Sequence, residues 1–264
     1  MGDAKALERG MQGERRVAEI LEKLRLTLGY GLIHDVLVDF NGHTTQMDHV
    51  LIDRFGVLVV ETKSYGAKLL GTSADHNWTA CYRDGNRRPL FNPLKQNDIH
   101  RTWLHKLLVQ YQRDMPDKYV QSLIVFVRGE IDDLNLSETD RMRVVTTDGL
   151  AQYVTARYDF QPNEGQLGVE AQTDLWDFLC TQNKSADPEV VAQHIALAQS
   201  AKRGKSPRPR TQHPRSKSAA ERIWDRKQER QRGELLRGLA GVGLGVAILT
   251  LIALSSCASV LTHR

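Results

Sequence analysis

Residues 57–63 read Val-Leu-Val-Val-Glu-Thr-Lys, an apolar run that ends in two opposite charges one residue apart. The apolar run is typical of a strand, and successive side chains on a strand point to opposite faces. Glu61 and Lys63 therefore emerge on the same face. The stretch predicts a strand that delivers a carboxylate and an ammonium to one bound group.

A neighbouring strand is expected to bring Asp48 to the same point. Asp48 lies in a strand-like run from 44 to 53, and the turn at 54–56 folds this run against the next one as a hairpin. With a tight turn there, any plausible register places Asp48 across from a position between Glu61 and Lys63. Two carboxylates and an ammonium then converge, an arrangement suited to a hard divalent cation with a water beside it.

Four short motifs follow one another on alternating element types. They are Gly13-Glu14 on a first helix, Met47-Asp48-His49-Val50 on a strand, Val60-Glu61-Thr62-Lys63 on the next strand, and Asn92-Pro93-Leu94-Lys95-Gln96 at the start of a helix. In this order they resemble the nuclease-related domain called NERD, which is similar to the PD-(D/E)xK superfamily of metal-dependent nucleases. The resemblance runs from about Glu8 to about Leu108.

The resemblance implies a role for each matching residue. Asp48 and Glu61 would be ligands of Mg²⁺ (or Mn²⁺), and Lys63 would orient or activate the attacking water. Glu14 would be an accessory carboxylate, and Gln96 would line the site. Glu19 is the alternative to Glu14, but five residues along a helix turn a side chain well off the first face, and the Gly-Glu pair favours Glu14.

The rest of the chain predicts an α/β fold. Hydrophobic spacing and turn signals indicate a central mixed sheet with an antiparallel three-strand meander, flanked by helices, and the resemblance makes it restriction-endonuclease-like. The expected helices are 4–28, 93–112, 149–157, 165–181 and a stretch beyond 187; the expected strands are 32–40, 44–53, 57–64, 119–127 and 143–147, with a smaller hairpin from 68–70 and 78–83.

Charge is distributed unevenly along the 264 residues. The net charge of +4 combines residues 201–237, with 13 Lys and Arg against 4 Asp and Glu, and residues 1–200, with 22 against 28. The folded part is therefore acidic, and such a domain attracts a phosphate backbone only through a local basic rim, for which Arg83, Arg87, Arg88, Lys95 and Arg101 are candidates. Three cysteines without metal-ligand spacing indicate a reducing compartment.

The C-terminal quarter predicts a membrane anchor. Residues 238–261 contain no charged residue, and 24 residues of helix span about 36 Å against a hydrocarbon core of about 30 Å. Arginines precede this segment, so the positive-inside rule predicts a single-pass, tail-anchored membrane protein with its N-terminal domain in the cytoplasm. Gly241 and Gly245 have the small-xxx-small spacing that permits close helix approach in a dimer; the alternative reading, given equal weight, is that small residues are merely common in membrane helices.

These predictions divide the chain into four parts. Residues 1–160 form the nuclease-related α/β domain, 161–200 a helical extension, 201–237 a basic linker and juxtamembrane segment, and 238–261 the transmembrane helix. The expected function is metal-assisted hydrolysis of a phosphodiester in nucleic acid, with DNA as the first candidate. The alternatives are a non-catalytic membrane tether that binds nucleic acid or a protein, and a structural membrane protein whose acidic domain recruits a basic partner.

Overall fold

The helices and strands follow one another in the order expected for an α/β domain. A computed structural model describes residues 2–111, 115–159 and 166–202. Its helices are α1 (Gly2–Leu28), α2 (Pro93–Tyr111), α3 (Glu138–Arg141), α4 (Thr147–Asp159), α5 (Val169–Gln182) and α6 (Pro188–Lys202). Its strands are β1 (Gly31–Phe40), β2 (His43–Asp53), β3 (Gly56–Thr72), β4 (Asn77–Cys81), β5 (Arg87–Phe91), β6 (Val120–Glu130), β7 (Leu134–Asn135) and β8 (Val144–Thr146).

The central sheet is mixed, with β3 in its middle. β1, β2 and β3 form the expected antiparallel meander, while β3 pairs in parallel with β6, and β6 in parallel with β8. The connection from β3 to β6 carries the β4–β5 hairpin and α2, which is long enough to let the chain return and pair in parallel. β3 is therefore paired on both edges from Val57 to Val60, and on its β6 edge alone at Glu61 and Lys63.

The turn between β2 and β3 depends on a glycine. Gly56 has φ +111°, and a Cβ atom there would lie 2.2 Å from the carbonyl oxygen of Tyr119. No side chain fits that gap, so Gly56 permits both the turn and the start of the parallel β3–β6 pair. The register of the hairpin, with Asp53 opposite Gly56 and His49 opposite Val60, follows from this turn.

Helices cover both faces of the sheet. Val17 and Leu21 of α1 and Leu150 and Val154 of α4 pack on one face. Leu104, Leu107 and Leu108 of α2 and Leu175 and Leu179 of α5 pack on the other. Odd-numbered positions of β3, such as Val57 and Val59, face α2, so the alternation of the strand sends Glu61 and Lys63 toward α2 as well.

β3 is longer than the sequence indicates. Its expected end was residue 64, but it continues to Thr72 through register shifts at Ser64 and Lys68, and its far half pairs with β4 and β7. Gly66, at φ +61°, accommodates the irregularity that ended the apparent hydrophobic run. β5 was not expected, because Arg87-Arg88-Pro89 lacks the residues typical of strands. It pairs antiparallel with β4 at the edge of the sheet.

The predicted basic linker and transmembrane segment lie outside the described residues, as do Gly241 and Gly245. Among the helices that the structure describes, none is long and apolar enough to cross a membrane.

Candidate functional site

The hairpin of β2 and β3 places Asp48 beside Glu61. The ladder pairs His49 with Val60, so the next positions outward are Asp48 and Glu61. There the side chain of Asp48 replaces the backbone partner, because Oδ2 of Asp48 accepts a hydrogen bond of 2.7 Å from the backbone N–H of Thr62. The carboxylate is thus held in one orientation by the strand that carries Glu61 and Lys63.

Two side chains converge on one oxygen of Glu61. Nζ of Lys63 lies 2.5 Å from Oε1 of Glu61, and Nε2 of Gln96 donates to the same atom at 2.7 Å. Glu61 and Lys63 retain only 5% and 12% of their side-chain exposure. A nearly buried, hydrogen-bonded ion pair has little freedom to reorient, so the site is preorganised.

Helix α2 is attached to the sheet on both sides of Gln96. The carboxamide oxygen of Asn92 accepts from the backbone N–H of Leu94, and its Nδ2 donates to the carbonyl of Asp75 at 2.8 Å. Nδ2 of Asn97 donates to the carbonyl oxygens of Leu123 at 3.0 Å and Val59 at 3.4 Å. Both asparagine side chains are buried, so losing these hydrogen bonds would be costly. The bonds therefore fix the start of α2 in the position from which Gln96 contacts Glu61.

Gly13 lets α1 approach the site from the opposite face of the sheet. A Cβ atom at Gly13 would lie 3.3 Å from Cβ of Ser64 and 3.6 Å from a methyl of Thr62. This close packing leaves the adjacent Glu14 exposed near the edge of the site. Burial of its carboxyl, then repulsion from Glu61 and Asp35, raises the pKa of Glu14. The structure thus brings Glu14 within electrostatic range of Glu61.

The β1–β2 ladder is interrupted next to the site. Its pairs run through His34 opposite His49 and resume at Val36 opposite Met47, so Asp35 and Asp48 are left unpaired between them. Asp35 has φ +51°, which is unusual for a residue other than glycine. Strained backbone of this kind is often found at functional sites. Here it releases Asp48 from the regular ladder.

The pKa values of Asp48 and Lys63 are both raised, for different reasons. Burial, then repulsion from Glu61, raises the pKa of Asp48 well above its ordinary value. Burial alone would lower the pKa of Lys63, but the Glu61 carboxylate outweighs it and the pKa of Lys63 is raised. Lys63 therefore stays protonated at neutral pH. A bound cation would favour the ionised form of Asp48 and lower its pKa.

The carboxylates of Asp48 and Glu61 are the candidate ligands for a divalent metal. Within the described residues, no three His, Cys, Asp or Glu side chains lie close enough to form a metal site alone. Mg²⁺, however, keeps several waters and is bound through one or two carboxylates. Asp48 and Glu61 supply two carboxylates at neighbouring positions of β2 and β3, and repulsion between them is, after burial, one cause of the raised pKa of Asp48. The residues present fit Mg²⁺ or Mn²⁺.

His100 is a site residue that the sequence did not single out. Its Nε2 lies 3.6 Å from Oε2 of Glu61 and 3.3 Å from Nε2 of Gln96, while its Nδ1 lies 2.5 Å from Oγ1 of Thr45. Burial lowers the pKa of His100, so the ring is neutral near pH 7. The available signal was its position four residues after Gln96, which places both on one face of α2.

His49 lies on the other face of β2, as its neighbouring position to Asp48 indicates. Its Nδ1 is 2.8 Å from Nδ1 of His34. The other ring nitrogen of His34, Nε2, lies 3.2 Å from Oε1 of Glu22. Burial, then the nearby His34, lowers the pKa of His49 to about 3. His49 is a neutral histidine of the sheet face, and it does not point toward Glu61.

This chain is similar to known proteins over part of its length. Residues 9–127 match the family model NERD, the nuclease-related domain. An uncharacterized protein of Bacillus anthracis is 37% identical over 94 residues, which cover 35% of this chain and 43% of that protein. A crystal structure of a protein of unknown function is similar over 47% of this chain and 55% of that one, at 14% identity and a TM-score of 0.27. The chain thus spans about half the length of each relative.

Proposed function

Because residues 9–127 carry a nuclease-related domain, which suggests a nuclease-like function, we propose that this chain is a metal-dependent phosphodiester hydrolase acting on nucleic acid. The observation that carries the proposal is the convergence of Asp48, Glu61, Lys63 and Gln96 from β2, β3 and α2. Asp48 and Glu61 would hold the Mg²⁺ or Mn²⁺. That ion would polarise the phosphoryl group and lower the pKa of a bound water.

Lys63 acts in this proposal as a fixed positive charge. Its raised pKa makes it a poor base at neutral pH, so it donates hydrogen bonds and stabilises the charge that develops on the phosphoryl oxygens. Gln96 holds the carboxylate of Glu61 in place while Lys63 stabilises this charge. The oxygen of the attacking water forms the new bond to phosphorus and gives up a proton to Glu14. The bond between phosphorus and the leaving sugar oxygen breaks, and that oxygen takes up a proton from solvent.

Glu14 and His100 stand at the two sides of this arrangement. Glu14 is the exposed carboxylate with a raised pKa, so it can accept a proton near neutral pH more readily than an ordinary glutamate. His100 is neutral and touches Glu61 and Gln96 from α2, which suits a positioning residue. We propose the accessory role for Glu14 and a supporting role for His100.

Membrane attachment is the second part of the proposal. The uncharged stretch 238–261 would anchor the chain, with the N-terminal domain in the cytoplasm, and Gly241 and Gly245 would allow a homodimer. The basic linker 201–237 would lie next to the membrane surface. The proposed substrate would then be nucleic acid close to the membrane, with DNA as the first candidate.

A cleavage assay tests the catalytic proposal. Labelled single- and double-stranded DNA and RNA are incubated with the full chain and Mg²⁺ or Mn²⁺, and compared with Glu61→Ala, Lys63→Ala and Glu138→Ala. Glu138 is exposed in α3, so its replacement is a matched control for the loss of a carboxylate. Glu61→Ala and Lys63→Ala should lower turnover by about 10²- to 10³-fold or more while the control keeps it.

The same assay separates the enzyme from a tether. Metal-dependent cleavage that Glu61→Ala abolishes supports the hydrolase. Binding without cleavage under any metal condition, lost when residues 201–237 are removed and unchanged by Glu61→Ala, supports a non-catalytic tether instead.

A further inference from the structure

An arginine-bearing surface lies beside the site on the hairpin of β4 and β5. Arg83, Arg87 and Arg88 are exposed, and Asp84 is the single acidic residue between 77 and 91. The hairpin is therefore positively charged, whereas residues 1–200 as a whole carry 28 acidic against 22 basic residues. A local excess of this sign on an acidic domain needs an explanation.

Four other arginines of the domain are already paired. Arg25, Arg101, Arg143 and Arg157 each form an ion pair with a carboxylate. In the part of the chain that the structure describes, no ion pair is formed by Arg83, Arg87 or Arg88. Asp84 instead binds the backbone and side chain of Asn86 within the turn, at 3.0 and 2.7 Å. The guanidinium groups of the three arginines are therefore exposed and available to bind an external anion.

Arg88 faces the same side of the sheet as the site. Arg88 is the cross-strand partner of Ala80, and Leu90 is that of Trp78, so Arg88 shares the face on which Trp78 and Ala80 pack. Tyr65 and Tyr82 belong to the same packed cluster. Phe126 is the parallel partner of Lys63 and stacks on Trp78, so Lys63 and Arg88 lie on one face. Arg87, the next residue along β5, starts from the other face.

Two tyrosines connect the site to the arginines. Burial raises the pKa of Tyr65, and Lys63, Glu61 and Tyr82 all act on it electrostatically, which places Tyr65 between the site and the hairpin. The guanidinium carbon of Arg88 lies 5.8 Å from the centre of the Tyr82 ring. The path from Lys63 to Lys68, where β3 meets β4, covers five residues, or about 17 Å at full extension.

That separation matches a polymer with charges at short intervals. A nucleic-acid strand carries one phosphate per about 3.4 Å of helix axis, so a strand with one phosphate at Lys63 would have further phosphates within reach of the hairpin. Arginine guanidinium groups bind phosphate by paired hydrogen bonds. The edge position of β5 keeps these groups in solvent until the polymer arrives.

From this arrangement we infer that the β4–β5 hairpin is the substrate arm of the site, with Arg88 holding the backbone of nucleic acid that flanks the bond to be cut, Arg87 reaching the same strand around the exposed edge of β5, and Arg83 extending the contact at the turn. The inference deepens the proposed hydrolase and rests on it for the orientation of the substrate. Binding to the arm itself needs no turnover.

Binding of a fluorescent single-stranded DNA oligonucleotide to the full chain, measured by anisotropy in EDTA over a range of salt concentrations, tests the arm. EDTA prevents metal-dependent cleavage, so the measurement is independent of catalysis. The variants are Arg87→Gln/Arg88→Gln and the charge-preserving Arg87→Lys/Arg88→Lys. Lys106→Gln/Lys118→Gln is the matched control, because Lys106 and Lys118 are also exposed and also lie over aromatic rings, at 4.2 and 5.3 Å.

Each phosphate contact contributes about 0.7 to the slope of log affinity against log salt for a single strand, so the glutamine pair should lower the slope by about 1.4. At 0.1 M salt that change corresponds to about 25-fold weaker binding. The lysine pair should keep the slope, and the control pair should leave it unchanged. The basic segment 201–237 is common to all variants and cancels in the comparison.

The substrate arm would be overturned by a wild-type chain that fails to bind, or by a glutamine pair that binds as well as wild type. It would also be overturned if the control pair, or the lysine pair, lost as much affinity as the glutamine pair. If the wild type binds through the arm in EDTA and cuts no substrate with metal, the arm stands and the hydrolase fails. If it cuts while Arg87 and Arg88 are dispensable for binding, the reverse holds.

Discussion

Asp48→Asn is expected to stabilise the metal-free domain and to remove its stabilisation by metal. Burial and repulsion from Glu61 raise the pKa of Asp48, so the folded protein disfavours its charged form. Asparagine has nearly the same shape, lacks the charge, and its amide oxygen can still accept the hydrogen bond from Thr62. The substitution therefore relieves the repulsion while removing a metal ligand.

The sign of the pH dependence follows from the direction of that shift. Between the ordinary pKa of 3.8 and the raised folded value, the folded protein binds more protons at Asp48 than the unfolded chain does. The contribution of Asp48 to stability therefore falls as pH rises through this window. The variant lacks this loss, so its advantage should grow as pH rises from the ordinary pKa toward the raised folded value, and it should disappear below the ordinary value.

The expected size of the metal effect comes from ligand linkage. A metal present at about 100 times its Kd stabilises the folded state by about 2.7 kcal/mol. For a domain of about 200 residues, 1 kcal/mol shifts the Tm by about 2–4 °C. A fragment of residues 1–202, which contains every element described, should therefore gain about 5–11 °C with saturating Mg²⁺ or Mn²⁺.

Differential scanning calorimetry of this fragment, with EDTA or with metal at pH 5, 6 and 7, measures both effects. Asp132→Asn is the control, because Asp132 is an exposed aspartate in the loop after β6. It should show the wild-type gain with metal. A wild-type Tm that does not respond to either metal would refute the metal site. An Asp48→Asn variant that is less stable without metal, yet keeps the full gain, would refute the reasoning about its charge.

Four further outcomes are expected. Gly13→Val should destabilise the domain by about 1–3 kcal/mol and reduce cleavage, because its side chain would meet Ser64 and Thr62. Gly10→Val is the control and should be tolerated, because a Cβ atom there meets no atom within 4 Å; chemical denaturation compares the two variants. Lys63→Arg should retain more turnover than Lys63→Ala in the cleavage assay, because it keeps the charge, but less than wild type, because its planar group does not reproduce the ammonium contact with Glu61. His49 has a pKa of about 3 against 6.5 in the unfolded chain, so its contribution to stability is present above pH 6.5 and lost on acidification toward pH 3. In His49→Phe, a plot of the free energy of unfolding against pH should therefore have a smaller slope over that range. Removal of residues 218–264 should move the protein from the membrane to the supernatant after carbonate extraction, and release of the full chain by carbonate alone would contradict a spanning helix.

The sequence predicted the antiparallel meander and the four side chains that meet at its end because both depend on local rules. Strand alternation and a tight turn are sufficient to bring Asp48 toward Glu61, and Gln96 follows from the start of α2. The order of helices and strands was largely confirmed for the same reason. Whether Asp48 and Glu61 bind metal stays a prediction.

Other parts of the site depend on contacts between distant residues. The strained conformation of Asp35 has no sequence signal, since aspartate seldom adopts positive φ and nothing nearby demands it. The part of β3 beyond residue 64 is held by β4, β6 and β7, which compensate for the glycine that interrupts its pattern. The role of His100 depends on how α2 lies over β3, which Asn97 determines through carbonyl groups of two different strands.

The parallel pairing of β3 with β6 also constrains the time course of folding. The paired residues Val57 and Val120 are 63 positions apart, so the chain must close a long loop before the strand bearing Glu61 and Lys63 has a neighbour on its second edge. All five predicted site residues precede Tyr111, yet the strand that carries two of them is completed only once β6 has been synthesised. Contacts this distant in sequence slow folding. We therefore expect the α1–β2–β3 segment to leave the ribosome with its carboxylates exposed, and the site to assemble late, when β6 docks.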